Sequence, residues 1–277
     1  MKGIIFLTDI KEPREMKIDQ SRNIREYATQ EDLKKAEEHW QKRLATNPKF
    51  FDGELGNLMD SRGERDYISS NFSIYETFAL AYPNQPNPYS NLLTRTLRSS
   101  AVTCTITTKD DYVIVQKIPE NLVCGNMIDP TAGGMVPARN GVINPLERIK
   151  SRLGGEPRIK WEDVIDWRYT GAHLAKDILT FTDTYAGRVN QTFGEVKEKF
   201  IKDGSDEIYG VKTKDLEGYI IENAVHENNL VDDCTGTLLA SLDEESFKLA
   251  VERMHRTGAN ILFGYFDKAL GRFVRTA

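Results

Sequence analysis

Apolar positions set most of the elements along the chain. Leu33, Ala36, Trp40 and Leu44 recur at helical spacing, acids crowd the first turn behind Thr29, and the pattern stops before Asn47-Pro48. Thr29 to Thr46 is therefore predicted as a helix capped by Thr29. Ala101 to Thr107 and Tyr112 to Ile118 run apolar or alternate on either side of Lys109-Asp110-Asp111, the pattern of a β-hairpin. Residues 2 to 10 suit a first strand, whereas Lys11 to Glu26 is charged and reads as irregular. Phe50 to Leu55 reads as strand and turn, and Phe72 to Phe78 alternates as a strand does. Pro83 to Pro88 is rich in turn residues and marks the expected boundary between an N-terminal extension, residues 1–85, and a core, residues 86–277.

The C-terminal half is patterned less evenly. Trp161 to Trp167 has no clean period, and Gly171 to Leu179 fits a helix or a strand. Ala186-Gly187-Arg188 reads as a turn feeding a strand from Val189 to Val196, and Glu207 to Lys212 as a further strand. Thr213 to Ala224 aligns Leu216, Ile220 and Ala224 on a helix. Asp243 opens a last helix that runs to Arg256 and closes on Gly258, and Ile261 to Phe266 supplies a final strand. The pair Asp232-Asp233 suits a helix start ahead of Leu238-Leu239, with cation binding as the alternative if other oxygens converge on it.

The stretch Asn126 to Glu156 carries the most local information. A buried strand ends at Gly133-Gly134, a loop follows, and a helix begins at Pro145 with Asn144 as N-cap and Glu147 in its first turn. Paired glycines let backbone pass close to a ligand, and a helix N-terminus facing such a turn suits an anion. Leu146, Ile149 and Leu153 form the inward face of that helix. Arg148, Ser151 and Arg152 form either a solvated face or a phosphate grip.

Composition narrows the classes. With 277 residues, 39% hydrophobic and 29% charged, the chain can bury a substantial core, and its net charge of −5 gives no general reason for nucleic-acid or membrane binding. Three well-separated cysteines, Cys104, Cys124 and Cys234, suit buried thiols better than a disulfide framework or a zinc cluster. No signal peptide or membrane span is readable, so a cytoplasmic location is expected. The four histidines show no metal-ligand spacing.

From Gly134 onward the residues resemble the Nudix superfamily. Its box places a glutamate after five residues, an arginine after seven more, three glutamates on the helix and a closing glycine. Here Asn140 stands at the first glutamate, Arg148 at the arginine and Gly155 at the glycine, while Ile149, Arg152 and Leu153 fill the three helix glutamate positions. Trp40, Arg43, Pro48 and Phe51-Asp52-Gly53, then Ser73, Tyr75 and Phe78, then Ala186-Gly187-Arg188, are similar in order to the UDP-sugar diphosphatase-like branch of that family.

The resemblance implies an α/β fold, a Nudix-like α/β/α sandwich with mixed β-sheets and an N-terminal extension. It implies a nucleotide or nucleotide-sugar ligand, no membrane partner, and room for a homodimer. Three readings follow. In the first, a diverged hydrolase holds Mg²⁺ or Mn²⁺ on Asp129, Glu147 and Glu156, with Glu147 and Glu156 catalytic and Arg148 and Arg188 neutralising developing charge. In the second, Gly133, Gly134, Arg139, Arg148, Arg152 and Arg188 bind the phosphate of a nucleotide or an RNA end without metal, and catalysis is weak or lost. In the third, the domain is structural or oligomer-forming.

Overall fold

The computed structural model describes all of the chain except residues 1–2, 8–9, 14, 49–50, 62–64, 81–96, 119, 121–124, 156, 176–178, 201–206, 268–271 and 276–277. Cys124, Glu156 and the expected boundary at Pro83 to Pro88 lie outside the described residues. The chain opens with β1 (Gly3–Leu7), buried along its whole length, and β2 (Met16–Asn23). The latter falls where the sequence reads as irregular. It buries only Ile18 and is polar elsewhere, so no apolar alternation announces it.

Helix α1 (Gln30–Thr46) begins as expected, with Thr29 accepting from the Asp32 amide at 3.1 Å and Asp32 accepting from the Thr29 amide at 2.9 Å. β3 (Glu54–Asp60) and β4 (Asp66–Asn71) follow as an antiparallel pair. The segment expected as a strand at Phe72 to Phe78 is instead helical. It forms α2 (Phe72–Tyr75) and widens into a π-helical turn over Glu76–Leu80, because the Asp52 carboxylate captures the Ser73 amide and hydroxyl.

β5 (Ser99–Thr107) and β6 (Tyr112–Lys117) make the expected hairpin, paired at Ile106–Ile114 and Thr107–Val113. Then come β7 (Ile128–Pro130), β8 (Ala132–Met135), β9 (Val142–Ile143) and α3 (Pro145–Gly155). The two segments without a clear period merge into one long strand, β10 (Val164–Ala175), which is followed by β11 (Thr180–Val189). Ala186-Gly187-Arg188 thus lies inside a strand rather than in a turn.

The strand expected at Val189 to Val196 is replaced by α4 (Phe193–Lys199). Thr192 and Glu195 form a capping box there, with the Thr192 amide donating to Glu195 at 2.6 Å. β12 (Glu207–Lys212), α5 (Leu216–Ile221), α6 (Asp232–Ser241), α7 (Glu244–Arg256), β13 (Asn260–Asp267) and β14 (Arg272–Arg275) complete the order.

The strands join one mixed sheet in the order β14-β13-β1-β10-β11-β5-β3-β4-β2-β9, with β8 and β6 also on β5, and β7 and β12 on β6. β1 sits between β13, to which it is parallel, and β10, to which it is antiparallel. The first strand of the sequence therefore lies within the sheet that carries the last ones.

Helices cover both faces, giving an α/β/α sandwich. On one face Ile149 and Leu153 of α3 pack with Val102, Cys104, Phe181, Tyr185 and Val189. On the other, Leu216, Cys234, Leu238 and Met254 of α5, α6 and α7 pack with Ile4, Phe6, Val113 and Val115. A third cluster joins α1 and α2 to Leu55, Met59 and Ile68 of β3 and β4. Among the described residues no helix is long and apolar enough to cross a membrane.

Candidate functional site

Strand, glycine turn and helix assemble as the sequence implies. Gly133 lies opposite Thr103 of β5, so close that an added Cβ would sit 2.8 Å from the threonine methyl and 3.0 Å from the Val102 carbonyl. Gly134 has φ +133, a conformation open to glycine and strained for other residues. The Arg148 guanidinium lies beside it, with Nη2 3.6 Å from where a Cβ would stand. The site thus begins as a glycine strand faced by an arginine from α3.

The connection between them differs from a plain loop. Arg139 and Val142 exchange backbone hydrogen bonds of 2.8 and 3.1 Å around Asn140 (φ 53) and Gly141 (φ 71), the two-residue turn that an Asn-Gly pair favours. That signal is present in the sequence, but there Asn140 is read as a box position. The turn carries Arg139 toward the N-terminal strands, where β9 pairs with β2.

On α3, Asn144 Oδ1 accepts from the Glu147 amide at 3.0 Å, fixing the helix start. Ile149 and Leu153 are fully buried, each worth about 1.5–3 kcal/mol of apolar transfer. Two of the three positions at which the box carries helix glutamates are therefore core positions. Arg148 and Arg152 are half-buried, one turn apart on the flank of the helix. Glu147 is exposed and takes the Lys150 ammonium at 2.7 Å, and Lys150 also lies over the Trp161 ring at 5.1 Å. Asp129 stands in β7 opposite Gln116. Among the described residues no group of three or more His, Cys, Asp or Glu is arranged to hold a metal ion.

Arg188 is on the other side of the sheet. Side chains alternate along a strand, and Tyr185 and Val189 of β11 join the cluster that holds α3. Arg188 instead pairs with Asp111 and lines a cavity of about 590 Å³ with Leu216 and Leu242. The structure brings Gly134 and Arg148 together, with Arg152 one turn further along α3, and leaves Arg188 on the opposite face of the sheet. A larger cavity of about 860 Å³ is lined by Tyr112, Tyr209 and Tyr219 and by no residue of the glycine strand or α3.

The remaining candidates resolve as packing. Cys104 and Cys234 are buried, and burial pushes the Cys104 thiol up, away from a nucleophilic thiolate. Asp232 and Asp233 open α6 without capping it: Asp232 accepts from the Gly3 amide at 2.9 Å, and Asp233 lies 3.0 Å from the buried His173 ring. They tie α6 to the sheet.

No family profile and no curated protein sequence matches this chain significantly. Among solved structures, DR0079 from Deinococcus radiodurans aligns over 55% of this chain and 81% of its own at 12% identity, with a TM-score of 0.34. RenU, a Nudix hydrolase from M. smegmatis, aligns over 58% of this chain and 87% of its own at 10% identity, with a TM-score of 0.31.

Proposed function

We propose that the protein is a Nudix-like domain that binds a nucleotide or nucleotide sugar and has lost the helix-borne metal chemistry of a diphosphate hydrolase. The observation that carries this reading is the burial of Ile149 and Leu153 in the core, with Arg152 as the third residue of the set. Mg²⁺ and Mn²⁺ need hard carboxylate oxygens, and two buried alkyl groups and a guanidinium do not fit either ion. The same arginine suits phosphate. Arg148 and Arg152 lie one helical turn apart, and planar guanidinium groups grip phosphate oxygens in pairs. Gly134 adds no side chain of its own beside the Arg148 guanidinium.

The test is calorimetric titration of UDP-glucose and ADP-ribose, each with and without Mg²⁺. Binding that is independent of metal and weakened in an Arg148→Ala, Arg152→Ala variant is the expected result. Metal-dependent release of nucleoside monophosphate, lost in Glu147→Gln, would overturn the reading in favour of a relocated catalytic site.

A further inference from the structure

The cavity of about 860 Å³ lies apart from α3, where an edge of the sheet meets α5. Among the described residues β12 pairs only with β6, and Val211 of β12 shares a core cluster with Leu216 and Ile220 of α5. A π-helical turn over Glu222–His226 extends the α5 wall, with the Glu227 amide donating to the Glu222 carbonyl at 2.9 Å. Such wide turns recur at functional sites. This one sets the Asn223 carbonyl to accept from the Asn229 amide at 2.7 Å, and the Asn229 carbonyl accepts from the Ile128 amide of β7 at 2.7 Å. Both asparagines are thereby fixed in the cavity wall.

The lining is aromatic and balanced in charge. Phe193 packs on Tyr112 at 5.5 Å, and the Lys212 ammonium lies 3.8 Å from the same ring. Tyr209 is instead 40% exposed, with its hydroxyl bonded to Glu207. Burial raises the Tyr219 pKa and keeps that hydroxyl a donor. Lys117 and Lys212 are matched by Asp215 and Glu222, and Lys212 already donates to the Asp110 carbonyl at 2.8 Å. The described lining therefore offers no net charge to an ion. Gly218 leaves the α5 wall open: among the described residues, a Cβ there would meet no atom within 4 Å.

We infer that this cavity binds an uncharged sugar ring, with its C–H face on Tyr209 and its hydroxyls on Asn223, Asn229, Asp215 and Glu222. Sugar hydroxyls both donate and accept, and amides and carboxylates beside aromatic rings supply that mixture without net charge. The site shares no residue with the nucleotide site proposed beside α3.

The test is titration of maltotriose, N-acetylglucosamine and uridine into the full isotope-labelled chain, read from backbone amide NMR shifts, and the same in Tyr209→Ala and Gly218→Leu. Tyr209 is exposed, and leucine is a strong helix former placed in open space, so neither change disturbs the core. The expected result is a saturable shift of the Gly210 amide with at least one sugar, no shift of the Gly134 amide, and binding weakened roughly five-fold or more in Tyr209→Ala or Gly218→Leu. No saturable shift with either sugar, shifts confined to Gly134 and α3, or binding indifferent to both variants would overturn the assignment. Uridine bound more tightly than both sugars would overturn it in favour of a nucleobase.

Discussion

Asp52 holds the first turn of α2 from outside the helix. Its Oδ1 accepts from the Ser73 amide at 2.7 Å and its Oδ2 from the Ser73 hydroxyl at 2.8 Å, while Asn71, at the N-cap position, makes no side-chain cap. Arg43 meets the buried Glu76 carboxylate at 2.7 Å, and Trp40 packs edge-on against Phe72. Three sequence fragments, Trp40 to Arg43, Phe51 to Gly53 and Phe72 to Phe78, are therefore one structural unit.

Removing this cap has a definite cost. Asp52→Ala strips α2 of its external acceptor and leaves a part-buried amide unsatisfied, a loss of about 1–2 kcal/mol. The urea midpoint should fall by the corresponding amount, and Asp52→Asn, which keeps one acceptor, should fall less. An Asp52→Ala midpoint equal to wild type would show that α2 is held by packing alone.

His39 makes the same unit sensitive to acid. Burial pushes its pKa below the ordinary value of 6.5, outweighing the opposite pull of Glu76, whose Oε2 lies 3.7 Å away. Between the depressed folded value and 6.5 the unfolded chain binds more protons than the folded one, so stability rises with pH there and falls on acidification. A His39→Gln variant should show a flatter dependence of Tm on pH across that window than the wild type. Parallel curves would remove His39 from the account.

What the sequence made legible follows from how local each signal is. Helix α1 and α7 carry their caps and apolar spacing within the element, and the hairpin of β5 and β6 joins strands adjacent in the chain. α4 is equally local, since Thr192 and Glu195 spell a capping box, yet reading Ala186-Gly187-Arg188 as a turn that feeds a strand hid it. α2 could not be read because its cap, Asp52, is 21 residues away. The grouping of Arg148 with Gly134 followed from the order strand, turn, helix. The separation of Arg188 from them did not, because it depends on the alternation of β11, a strand where the sequence reads as a turn.

Gly236 gives a prediction whose sign opposes helix propensity. Alanine in the interior of α6 would gain about 1 kcal/mol over glycine from propensity alone. Its Cβ would stand 2.6 Å from Nε2 of His173, a fully buried ring held by Asp233, so the helix would have to lift from the sheet. Overpacking of this kind costs about 1–3 kcal/mol or more. Gly236→Ala should therefore lower Tm. The Gly236→Ala, His173→Ala pair should show strong coupling in a double-mutant cycle, and a Gly236→Ala variant more stable than wild type would mean that the ring moves freely.

The ion pair of Arg65 with Asp183 is the most buried in the fold among the described pairs that carry an arginine, with side chains 5% and 0% exposed and 2.8 Å between Nη1 and Oδ2. Tyr169 completes it, donating to Asp183 at 2.9 Å while accepting from Arg65 at 2.9 Å. Desolvation works against the charge on Arg65, but Asp183, Tyr67 and Tyr169 together outweigh it and raise the arginine pKa. Burial, reinforced by Asp183, keeps the Tyr169 hydroxyl protonated and able to donate. Asp183→Asn would leave a guanidinium buried without its counter-charge, at a cost of about 3–5 kcal/mol, whereas replacing both charges with apolar residues removes the desolvation penalty as well. The Arg65→Leu, Asp183→Leu variant should accordingly be more stable than Asp183→Asn in chemical denaturation. If it is less stable, the pair contributes net attraction to the fold, and the triad of Arg65, Tyr169 and Asp183 holds the residue ahead of β4 to β10 and β11 by its charge rather than by mutual compensation of a buried penalty.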